Sequence, residues 1–185
     1  MKAQDKSVEE QLAIDFLNRY MDGIRYFDSG LTDHFPMTVQ NEKDLSFGTP
    51  YGARAIGMAY LFFSHEVDTA TFNGVIEKLS INEIPSYAPK DSSLIIIGDT
   101  LDYTDMVDGV PIPNFKSYQG DFGINRTQLP KRFKIYVLEA RQGIYLRKEE
   151  LPSGVNLPSN WQHGYSRGIA SNERQLELLY WVCVW

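Results

Sequence analysis

The chain closes on Tyr180-Trp181-Val182-Cys183-Val184-Trp185, six apolar residues without a break. A β-branched and aromatic run this dense reads as a strand covered on both faces. The sheet is therefore expected to close only when these last residues are in place. That constrains architecture and says nothing of chemistry. No catalytic or ligand-binding motif occurs in a convincing context in the 185 residues.

The length fits one domain, read here as a single globular unit over 1–185. Hydrophobic residues make up 43% and aromatics 13%, enough for a sizeable core and too much for a disordered chain. Eleven tyrosines favour β structure and surfaces that are apolar in body and wet at the tip. The formal charge of −6, with no basic stripe, disfavours nucleic acid and anionic lipid. No apolar stretch approaches the roughly 20 residues of a membrane-spanning helix. One cysteine cannot form an internal disulfide. The N-terminus, Met1-Lys2-Ala3-Gln4-Asp5-Lys6, has no apolar core of an export signal. The compartment is cytoplasmic if Met1 is the native start, and periplasmic or cell-envelope if Met1 replaces a removed signal.

Ser7 followed by Glu10 makes a capping box, which predicts a helix over 7–27. Leu12, Ala13, Phe16, Leu17, Tyr20, Ile24 and Phe27 form its apolar stripe at helical spacing, and Ser29-Gly30 stops it. Phe16 is expected to be core. Gly48 to Gly52 is a loop by its turn residues. The stretch 53–67 suits a strand in its second half, and 71–81 suits a strand or a short helix. Leu94-Ile95-Ile96-Ile97, bounded by Ser93 and Gly98, predicts a central strand. Residues 109–130, rich in Pro, Gly and Asn, read as a long loop. Residues 132–138 and 144–147 suggest a hairpin turning near Arg141-Gln142-Gly143. After a second Pro-containing connection over 151–161, the segments 163–170 and 175–185 read as the closing pair of strands.

The most informative polar stretch is His163-Gly164-Tyr165-Ser166-Arg167-Gly168-Ile169-Ala170. Strand alternation sends Gly164, Ser166, Gly168 and Ala170 to one face, where an aromatic ring or a helix can approach the backbone closely. The other face carries His163, Tyr165 and Arg167, about 6–7 Å apart. Those three are the candidate ligand-binding residues, with Arg167 as a fork for carboxylate or phosphate and His163 as a titratable partner. An ordinary solvated sheet face explains the same residues. The stretch also spells Gly164-Tyr165-Ser166-Arg167-Gly168, a nucleophile-elbow pattern, but no histidine follows it as that chemistry requires.

Asp99, Asp102, Asp105 and Asp108 recur at every third residue. Asp99, Asp102 and Asp105 are the candidate metal ligands through carboxylate oxygen, although the spacing is not that of a calcium loop and a solvated acidic loop is the favoured account of the same residues. Three histidines, His34, His65 and His163, match no metal-binding spacing. Cys183, between two valines, should be desolvated and unreactive. Asp121-Phe122-Gly123 lacks the companion loops of a kinase, and the Asn125 sequon has meaning only in a secreted eukaryotic protein.

The expected fold is α+β: a long N-terminal amphipathic helix packed on a mostly antiparallel, curved sheet that ends on a buried C-terminal strand. The expected function is that of a non-catalytic binding or protein-interaction module without a cofactor, its partner a protein or a small polar ligand. The alternative is a small hydrolase or transferase that combines His163, Arg167 and a carboxylate such as Asp99 or Glu66.

Overall fold

Every residue of β8 (Glu177–Val184) is buried, and it lies inside a six-stranded sheet between two other strands. The computed structural model describes residues 2–38, 42–49, 57–115 and 126–185. Two compact units divide the chain, residues 1–39 and 40–185. Among the described residues there are two α-helices, and the class is α+β. No described helix is long and apolar enough to cross a membrane. The readings at Asp121-Phe122-Gly123 and Asn125, and the first half of 53–67, fall outside the described residues.

The first unit holds α1 (Lys2–Tyr26) and a single 3-10 turn at Ser29–Leu31. The helix begins before the capping box, because Lys2, Ala3, Gln4 and Lys6 are all good helix formers and Ser7 becomes an interior position. Asp28 caps the 3-10 turn, its carboxylate accepting from Gly30 N at 3.0 Å. The apolar stripe is buried only at its C-terminal end, where Tyr20 and Phe27 are inside. Phe16 is half-buried rather than core, and Leu12, Ala13 and Leu17 are exposed. Tyr20 donates its hydroxyl to Pro36 O at 2.8 Å, and its ring meets Phe35 at 6.4 Å, which folds the end of this unit back on the helix.

The second unit contains β1 (Glu42–Gly48), β2 (Ala59–Glu66), α2 (Thr69–Ile81), β3 (Ser86–Tyr87), β4 (Leu94–Ile97), β5 (Val110–Pro113), β6 (Lys134–Gln142), β7 (Gly164–Asn172) and β8. Its main sheet has the order β1-β2-β8-β7-β6-β3, with every neighbouring pair antiparallel. The segment 71–81 is helix, started by Asp68, whose carboxylate accepts from Thr71 N at 2.8 Å. That bond and one from the Thr71 hydroxyl hold the Asp68 carboxyl below its ordinary pKa.

Two expectations need correction. β4 is not a central strand of the main sheet; it pairs in parallel with β5 to form a separate two-stranded ply. Its four residues are buried because the ply contributes to the same core as one face of the main sheet. The sequence of β5, Val110-Pro111-Ile112-Pro113, resembled a loop because proline cannot donate to a ladder. The prolines alternate, so the donors on the β4 side survive: Val110 N bonds Ser93 O at 2.8 Å and Asn114 N bonds Ile97 O at 2.8 Å. The expected hairpin over 132–147 does not form either. β6 runs straight through the expected turn to Gln142, and its partner is β7, some twenty residues further on.

The small-residue face of β7 packs as its alternation implies. Gly168 stands opposite Trp181 of β8, and a Cβ at Gly168 would lie 2.6 Å from the Trp181 ring. A Cβ at Gly164 would lie 3.1 Å from the Trp185 ring. Both indoles are fully buried in the core with Phe62, Phe115 and Ile135. The bulky neighbours are therefore tryptophans from the adjacent end of the chain.

Candidate functional site

Tyr165 and Arg167 share a face of β7, opposite Val184 and Val182 of β8. On the other side they stand opposite Arg141 and Glu139 of β6. A bulge in β6 between Val137 and Glu139 makes this possible. In unshifted register Leu138 would stand opposite Arg167, and Glu139 would turn to the other face opposite Ser166. Arg167 Nε donates to Glu139 Oε2 at 3.1 Å, and Arg141 Nη2 lies 2.6 Å from Glu139 Oε1. The Tyr165 ring meets Tyr145 edge-on at 4.6 Å. Burial, followed by the hydrogen bond to Glu139 and its charge, pushes the Tyr165 hydroxyl up to about 12.

The row of His163, Tyr165 and Arg167 is thus only partly the open face that the sequence suggested. Tyr165 is buried, and the Arg167 side chain, 16% exposed, answers an internal carboxylate. Arg167 braces β6 against β7. His163 precedes the strand; its carbonyl accepts from Gly143 N at 3.1 Å, and its Nδ1 is buried without a hydrogen-bond partner. That nitrogen is joined to neither Asp99 nor Glu66. Ser166, fully buried, donates to Pro111 O at 2.6 Å and ties the main sheet to the β4-β5 ply. Cys183 is fully buried, and desolvation pushes its thiol far up, against weaker help from Ser166. Neither side chain is placed as a nucleophile.

The acidic ladder also resolves into separate tasks. Asp102 accepts from Thr104 N at 2.9 Å and from the Thr104 hydroxyl at 2.7 Å, which lowers its pKa and stitches a turn. Asp99 accepts from Thr100 N at 2.7 Å and from the Tyr103 hydroxyl at 2.8 Å. Asp99, Asp102 and Asp105 do not converge: among the described residues no group of three or more His, Cys, Asp or Glu side chains is arranged to hold a metal ion. Local turn chemistry accounts for Asp99 and Asp102, each of which takes its own nearby donors.

Asp99 instead forms part of the wall of a pocket of about 460 Å³, mouth included, at the C-terminal end of β4. Tyr103, Leu101, Val155, Leu157 and Trp185 line it as well. The backbone around it is unusual. Gly57 (φ 73), Gly98 (φ 82), Gly154 (φ 61) and Asn156 (φ 68) all contribute to the lining, and all adopt the left-handed conformation. Gly154 is required twice over, because a Cβ there would also meet Gln162 O at 2.8 Å. The three glycines take this conformation at no steric cost, so Asn156 is the one described lining residue that the surrounding structure must hold there. Here the enforcement is visible. Asn156 O accepts from Tyr103 N at 2.8 Å and pins the 152–157 segment to the wall that Asp99 builds.

Trp185 backs the pocket from the core and has no exposed surface of its own. Its indole donates to Trp161 O at 2.8 Å, and its backbone exchanges hydrogen bonds with Gly164 at 3.0 and 3.1 Å. Tyr103 is held by burial and by its bond to Asp99, both of which push its hydroxyl pKa up and keep it neutral. Sequence reasoning found Asp99 as a carboxylate but missed Tyr103, the 152–157 segment and Trp185 as its company. The available signal was the set of turn residues at Gly98, Pro152, Ser153 and Gly154. No family model matches the chain, and no curated protein or solved structure matches it.

Proposed function

We propose that this protein is a non-catalytic binding module that holds a small polar ligand in the Asp99–Trp185 pocket. The observation that carries the reading is the pocket at the end of β4, where Asp99, held by Thr100 N and the Tyr103 hydroxyl, meets the 152–157 segment that Tyr103 N pins in place. The enclosed part of the pocket, about 110 Å³, admits only a small ligand group, and the lining combines apolar side chains with a few fixed polar atoms. Preformed walls reduce the ordering cost of binding. The alternative, a small hydrolase or transferase at His163 and Arg167, has less support. Arg167 is paired with Glu139, and Ser166 and Cys183 are committed to the interior.

Val155 gives a direct test. It lines the pocket yet is 68% exposed, so Val155→Trp should fill the cavity with little effect on the fold, within about 0.5 kcal/mol. Native mass spectrometry of the purified protein should show a small-molecule adduct that the variant lacks. An adduct retained in full by Val155→Trp would place the ligand elsewhere.

A further inference from the structure

Resting on that reading, we infer that the pocket selects a small organic cation, with a protonated amine against Asp99 and an apolar body along Leu101, Val155 and Leu157. Asp99 is the one acidic or basic side chain among the described lining residues. A carboxylate has about four acceptor positions. Thr100 N supplies a donor to Oδ1 and the Tyr103 hydroxyl one to Oδ2, so the carboxylate is held in place while each oxygen keeps acceptor capacity. The Tyr103 proton is committed to Asp99, so the phenol does not compete as a donor toward the ligand.

An ammonium supplies the donors this arrangement lacks, and a charge-assisted bond of that kind is roughly twice as strong as a neutral one. An anion would face a carboxylate with no cationic side chain among the described lining residues to offset it. The nearest guanidinium shown, Arg126, lies 5.4 Å from the centre of the Tyr103 ring and donates to Leu94 O at 3.1 Å, so it is held at the ply and does not line the pocket. The formal charge of −6 adds a long-range pull in the same direction. Leu101, Val155 and Leu157 give the mixed wall its apolar side chains, beside which a ring or branched aliphatic body can lie.

Benzylamine, benzyl alcohol and benzoate share one ring and differ in the group offered to Asp99. Ligand-detected NMR and calorimetry on the full chain should show benzylamine binding at least about tenfold more tightly than the alcohol, with benzoate silent. Asp99→Asn keeps an acceptor for Tyr103; it should lose about tenfold in benzylamine affinity and leave benzyl alcohol unchanged. Val155→Trp should remove binding of both benzylamine and benzyl alcohol. If the alcohol or benzoate equals benzylamine and Val155→Trp still blocks it, the pocket binds ligands but the cation selectivity is wrong. Benzylamine binding unaltered in Asp99→Asn would overturn the selectivity as well. No binding of any probe at about 10 mM would overturn both the selectivity and the pocket.

Discussion

Gly168→Ala should cost about 3 kcal/mol or more, an unusual loss for the addition of one methyl group. The new Cβ would fall on the carbonyl oxygen of Tyr136 and 2.6 Å from the Trp181 ring. Overpacking of a dense core commonly costs about 1–3 kcal/mol when side chains can shift. Here the closer atom belongs to the backbone of β6, which is held in register with β7 on both sides of the contact. The denaturant midpoint of Gly168→Ala should drop sharply while the slope is preserved. Trimming the ring in Gly168→Ala/Trp181→Leu should fail to restore stability, because the carbonyl stays where it is. A full rescue would locate the conflict at the indole alone.

Deletion of Val182–Trp185 should leave a chain with no cooperative unfolding transition. β8 stands between β2 and β7, with Val182 opposite both Leu61 and Arg167 and Val184 opposite both Ala59 and Tyr165. Removing this half-strand strips ladder bonds from two neighbours at once and exposes the core that holds Tyr60, Phe62 and Trp181. It also removes Trp185, the base of the pocket. Insolubility, or a compact state that binds a hydrophobic dye and lacks near-ultraviolet dichroism, is the expected result. A soluble truncation with a sharp thermal transition would show that β8 is dispensable.

These two sites also show what was legible in the residues. The run 180–185 was readable as buried strand because six apolar residues admit no solvent face, and the alternation at 164–170 named the small face that the tryptophans occupy. Identity of partners was not readable. A strand pattern does not state which strand it joins, so β6 was matched with the nearest apolar stretch instead of β7. The bulge at Leu138, which aims Glu139 at Arg167, has no local mark in the sequence. β5 was concealed by its prolines, whose alternation leaves one edge competent. The pocket was hidden for a different reason. It is built by Gly57, Gly98, Asp99, residues 152–157 and Trp185, pieces that only the folded backbone assembles. Left-handed conformation at Asn156 is likewise a property of the fold, since asparagine tolerates that conformation without requiring it.

The plank-like position of β8 is what both the core and the pocket depend on, and amide hydrogen exchange measures it directly. A strand flanked on both sides has its successive amides bonded alternately to one neighbour and then the other, so all should be protected together. The amides of Leu178 to Val184 should exchange only through global unfolding, with an opening free energy equal to that from denaturant titration. Exchange of these amides at rates typical of exposed loops, while the rest of the sheet stays protected, would contradict the account.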